Sequence, residues 1–146
     1  MSRGSWIGMM EKLIETCKDG ESGYREAAEH VKNPALKRFL EEQSNTRGRF
    51  AQELKDELAR ISDEHSEGSR AAAAHRTLIG LQALLGVSDR ALMNSVQQGE
   101  RIALDAYQAA LSGPLPPQLE NIVRRQAEGI RQAYEKAMRW KEDQVA

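Results

Sequence analysis

A chain of 146 residues, 40% hydrophobic and 29% charged, has the make-up of one globular domain that can build a core without disulfides or a structural metal. Its formal net charge is −1, with 21 Lys+Arg interspersed among 22 Asp+Glu, so no dense basic block offers the footprint of a nucleic-acid binder. The lone Cys17 excludes an internal disulfide and a thiolate-rich zinc site, which leaves the role of a small buried hydrophobe.

The first residues lack the charged, apolar and cleavage regions of a secretory signal. No apolar run approaches the ~18–20 residues that span a bilayer, so a cytoplasmic protein is expected. Few Pro and aromatic residues, with abundant Ala, Glu, Lys, Arg, Leu and Gln, favour helix throughout.

From Trp6 to Val31, the positions Met10, Ile14, Cys17, Glu21, Tyr24, Ala28 and Val31 recur at alternating spacings of four and three, which predicts one long amphipathic helix. Asn33-Pro34 ends it and opens the next, because proline suits a first helical turn and restricts the residue before it. The second helix carries Leu36, Leu40, Gln43, Arg47, Phe50, Leu54 and Leu58 on its stripe and ends near Ser62. So short a connection makes the two an antiparallel hairpin.

Asp63 to Arg70 is polar and reads as loop, and Ala71 to Leu85 predicts a shorter apolar-faced helix stopped by Gly86. Ser88 or Asp89 caps the next long helix, with Met93, Val96, Glu100, Ala103, Tyr107 and Ala110 on its seam. It stops at Ser112-Gly113-Pro114. Pro116-Pro117 opens the last, striped by Leu119, Val123, Gln126, Ile130, Ala133, Ala137 and Trp140.

The two hairpins repeat each other. One constant offset carries Leu13, Gly20, Glu21 and Ala27 onto Leu92, Gly99, Glu100 and Ala106, and another carries Pro34, Leu36 and Gln43 onto Pro117, Leu119 and Gln126. The chain thus divides as a single domain, 1–146, into a hairpin over 6–61, a crossover over 62–87 and a hairpin over 88–143.

The crossover is too long for a simple up-down-up-down link. A helix of ~15 residues rises ~23 Å against ~40 Å for one of ~27, so with its flanking loops this segment can return along most of the bundle. The expected fold is all-α: an up-down-down-up four-helix bundle with a short extra helix in the crossover, the ferritin-like arrangement. The competing arrangement folds the short helix over one end as a cap.

In that topology Glu21 and Glu100 reach the bundle's middle from opposing directions, near Gln43, Gln126 and Arg47. Buried carboxylates need a partner or a cation. Di-iron and di-manganese bundles supply a Glu from each of two helices and Glu-x-x-His from each of the others. The first half of that pattern is present. The second fails, since the chain offers Glu42-x-x-Asn45 and Glu128-x-x-Arg131, with His30 near a helix end, His65 in a loop and His75 on the short helix.

Two readings follow. In one, Glu21, Glu100, Gln43 and Gln126 hold iron or manganese. In the favoured one there is no cofactor and no catalysis, and Glu21, Gln43, Arg47, Glu100, Gln126 and Arg131 form a buried salt-bridged network that fixes helix register. No P-loop, Rossmann glycine pattern, His-Glu-x-x-His or nucleophile motif is present. Trp6, Met9, Trp140 and the short helix's apolar face either close the bundle ends or form a homodimer surface, and a homodimer is expected.

The run Leu13-Ile14-Glu15-Thr16-Cys17-Lys18-Asp19-Gly20-Glu21, then Gly23-Tyr24-Arg25-Glu26-Ala27-Ala28-Glu29, resembles the opening of a bacterial ferritin-like family labelled a domain of unknown function. Phe50-Ala51-Gln52-Glu53-Leu54, Ala74-His75-Arg76, Gly99-Glu100, Ala106-Tyr107 and Leu115-Pro116-Pro117 extend the resemblance over almost the whole chain. It implies a ferritin-like bundle and a bacterial source, and by analogy a stress-associated role, but no established reaction. Relatives carry a tryptophan after the His-Arg pair, where this chain has Thr77 and Leu78.

Overall fold

The computed structural model describes residues 3–61 and 86–145. They form four long helices, α1 Arg3–His30, α2 Pro34–Ile61, α3 Asp89–Leu111 and α4 Pro117–Val145, with no strand among the described residues. The expected short helix over 71–85, together with His65 and His75, lies outside the described residues. No described helix is long and apolar enough to cross a membrane.

Local chemistry sets the helix ends. Asn33 caps α2, its Oδ1 accepting from Ala35 N at 2.8 Å and Leu36 N at 3.1 Å, and Pro34 takes the first helical position, where its missing N–H costs nothing. Ser88 caps α3 by accepting from Ala91 N at 3.1 Å. The Asp89 carboxylate then accepts from Lys32 N at 2.9 Å and Asn33 N at 3.0 Å, pinning the α1–α2 turn to the start of α3.

Residue pairings give the helix directions. Along α1 and α2, Lys37 Nζ donates to Ala28 O at 3.0 Å and Ser44 Oγ to Glu21 O at 2.8 Å, while Arg47 lies against Gly20, so the two run oppositely. Along α1 and α3 the pairs are Asn33 with Asp89, Tyr24 with Glu100, Cys17 with Tyr107 and Met9 with Gly113, again opposite. Phe39 meets Lys136, Phe50 meets Gly129 and Glu53 meets Arg125, so α2 and α4 are also opposed. It follows that α3 runs the same way as α2.

The apolar interior divides in two. One cluster gathers Trp6, Met10, Leu13, Leu54, Leu119 and Val123 with their neighbours, and the other Leu36, Phe39, Leu40, Leu92, Met93 and Ala137 with theirs. Trp6 is buried in the first, Met9 lies over Gly113, and Trp140 packs against the second. Burial of side chains this size contributes about 1.5–3 kcal/mol each. What separates the clusters is polar.

Candidate functional site: a buried polar layer

Arg47 of α2 and Glu100 of α3 are the charged residues at the centre, 1% and 2% exposed. Arg47 crosses the interior because Gly20 of α1 leaves it space: a Cβ there would stand 3.0 Å from Arg47 Nη1 and 3.3 Å from its Cγ. The guanidinium donates from Nη2 to Glu100 Oε2. Tyr24 of α1 donates its hydroxyl to the same oxygen at 2.5 Å, and its ring lies 5.3 Å from Arg47 Cζ, within cation–π range.

Charge and burial act against each other here. For Arg47, burial favours the neutral form, but the carboxylate of Glu100 outweighs it and raises the pKa, so the cation is held. Burial, reinforced by the charge of Glu100, pushes the Tyr24 phenol well up and keeps it a donor. One guanidinium donor, Nε, is buried without a partner among the described residues.

A second chain of contacts runs from the interior to the surface. Tyr107, fully buried, donates to Gln126 Oε1 at 2.7 Å, which uses its only proton, so at 2.9 Å its oxygen is left to accept from the Cys17 thiol. Gln126 Nε2 donates to Glu53 Oε1 at 2.9 Å and to Phe50 O at 3.3 Å, and Glu53 is gripped by Arg125 at 2.5 Å and 3.3 Å. The Arg125 hydrogen bond holds the Glu53 carboxyl below its usual range. Burial pushes the Cys17 thiol up to about 11, and raises the Tyr107 phenol further still.

The sequence-derived network is therefore redrawn. Arg47, Glu100 and Gln126 are all buried, with Arg47 and Glu100 in one group and Gln126 in the other. Glu21 does not converge with Glu100. Its half-exposed carboxylate lies over Gly48 and faces Arg25 at 3.4 Å, because the inward position on that turn is Gly20 and a long side chain at the edge of the stripe can reach water.

Gln43 is only half-buried. Arg131 is outside the network altogether, on the outer face of α4 between Glu128 and Glu135. Sequence reasoning missed Tyr24, Tyr107, Cys17, Ser44 and Glu53 as polar members of the layer. The available signal was that a tyrosine on a buried stripe must find its hydroxyl a partner.

For a metal, the donor set matters. The four candidate ligands do not share a centre: Glu100 is engaged by Arg47 and Tyr24, Gln126 by Tyr107 and Glu53, Glu21 sits over Gly48, and Gln43 is half-buried. Among the described residues no group of three or more His, Cys, Asp or Glu side chains is placed to hold a metal ion. Glu42, Asn45, Glu128 and Arg131, at the Glu-x-x-His-like positions, are all exposed.

A fold that is all-helical among the described residues, with a buried acid–base layer between two apolar clusters, is the class this geometry defines. The chain belongs to the family described as a domain of unknown function, DUF2383, which it matches over residues 6–113. No curated protein matches it.

Proposed function

We propose that this chain is a non-catalytic ferritin-like bundle, up-down-down-up, in which a charge-neutralised polar layer stands where metal-binding bundles of that architecture gather their ligands. The single observation that carries this reading is the Arg47 guanidinium against Glu100 in the interior. A cation already satisfies the central carboxylate, and a metal ion would have to displace it. The opposed directions of α1 with α2 and α3 support the ferritin-like topology.

On this reading the layer fixes register, since sliding α2 against α3 would strand a charge among apolar side chains. The working form is a cytoplasmic bacterial homodimer in a stress-associated setting, the last by analogy with ferritin-like proteins alone. Light scattering at high protein concentration tests the dimer, and a strictly monomeric species removes it.

Titration with Fe(II) of the protein purified without chelators, beside Glu21→Ala and Glu100→Ala, separates this reading from a carboxylate-bridged iron or manganese protein. The reading expects only substoichiometric metal that neither substitution changes. Stoichiometric uptake lost on Glu100→Ala would replace it with the metalloprotein.

A further inference from the structure

Three helical glycines, Gly8, Gly23 and Gly99, have no packing reason among the described residues. Gly20 makes room for Arg47, but a Cβ added at Gly23 of α1 or Gly99 of α3 would meet nothing within 4 Å. Glycine weakens a helix interior relative to alanine, so the chain gives up helix stability at points where nothing described presses close. Two of them, Gly23 and Gly99, line one groove between α1 and α3.

That groove encloses about 400 Å³, within the range of ~300–1,000 Å³ typical of small-molecule sites. Ala27, Val96 and Ala103 supply apolar wall, Ile102 stands 68% exposed at its edge, and Tyr24, Arg47 and Glu100 reach it from the polar layer. Arg47 lines the groove while only 1% exposed, and its buried Nε has no acceptor among the described residues. A buried donor left unpaired is costly and calls for an acceptor.

We propose that this groove binds an uncharged amphipathic small molecule, its apolar body between the glycine-flattened walls and a carbonyl or hydroxyl oxygen accepting from the Arg47 guanidinium. Arg47 and Glu100 already balance, so a charged head would bring an uncompensated charge to the layer and is disfavoured. The inference uses only the groove and the layer's geometry, and does not depend on the ferritin-like assignment.

The probes are hexanamide, hexanoate and hexylammonium, which share a chain and differ in head charge, titrated into the full-length ¹⁵N-labelled protein. Hexanamide should give saturable shifts at the Gly23 and Gly99 amides, with affinity about tenfold or more above either charged probe. Gly23→Leu and Gly99→Leu, each filling the groove from one wall, should abolish those shifts while the helical circular dichroism stays unchanged.

Three results would overturn the proposal. The first is the absence of saturable shifts with hexanamide in the wild-type protein. The second is tightest binding by a charged probe. The third is a set of nuclear Overhauser contacts placing residues 62–85 of the free chain, or a second copy of it, in the groove. The wild-type titration decides even where a leucine variant fails to fold.

Discussion

Replacing Arg47 by leucine removes the one cation that, among the described residues, contacts a carboxylate that is 2% exposed. Glu100 then keeps Tyr24 as a donor but must either stay ionised in an apolar interior or take up a proton. Removing one partner of a buried pair costs about 3–5 kcal/mol, because a lone charge is left out of water. For a domain of this size ~1 kcal/mol moves the melting temperature by about 2–4 °C, so a fall of roughly 6–20 °C is expected. Leucine preserves much of the packed volume, so the loss should be electrostatic rather than a cavity effect.

The double variant Arg47→Leu/Glu100→Leu separates these causes. With both charges gone the layer becomes apolar, and such replacements are often neutral or stabilising, so the double variant should recover most of the loss. Thermal denaturation followed by circular dichroism at neutral pH measures all three proteins. A melting temperature within about 2 °C of wild type for Arg47→Leu, or a double variant no better than the single, would refute the claim that Arg47 neutralises Glu100.

The glycines give a contrast within one helix pair. Gly99→Ala enters open space and should stabilise by about 0.5–1 kcal/mol through helix propensity, whereas Gly20→Ala pushes a methyl against the immobile Arg47 side chain and should destabilise by about 1 kcal/mol or more in thermal melts. Cys17 should resist a thiol reagent at about pH 8 until the protein is unfolded in urea, since burial holds the thiol protonated up to about 11.

The same burial predicts an alkaline loss of stability. Cys17, Tyr24 and Tyr107 all have raised pKa values in the folded state, so their contribution is complete below the unfolded values, near 9.0 for the thiol and 10.0 for the phenols. It is lost as pH rises, for the thiol between 9.0 and about 11. Cys17→Ala should flatten the thiol's share of that decline in urea midpoints, and an unchanged pH dependence would count against the assignment.

How much of this was legible in the sequence depends on the kind of side chain. The four long helices, the Asn33-Pro34 junction and the Ser88 cap follow from periodicity and capping chemistry, and the structure places them within a few residues of expectation. Apolar stripe positions such as Met10, Leu40 and Val123 are buried, because burial is what sets their spacing.

The polar layer was half legible. Glu100 on a buried seam and Arg47 on a facing one could be paired from sequence, but the internal repeat suggested that Glu21 would match Glu100. The turn that places Glu100 inward in α3 places Gly20 inward in α1, and the glycine's missing side chain is what admits Arg47. Repeat symmetry in sequence does not carry over to a site where one long side chain must cross the axis. Arg131 failed for a plainer reason: two glutamates one turn away on its own helix hold it outside.

The central claim, that an arginine rather than a metal ion balances the interior carboxylate, is tested most directly by a crystal structure of protein purified without chelators from metal-supplemented cells, with anomalous data at the iron and manganese edges. The account predicts Arg47 Nη2 on Glu100 Oε2, Tyr24 on the same oxygen and no anomalous peak in the layer. An anomalous peak bound by Glu100, with Arg47 turned away, would contradict it.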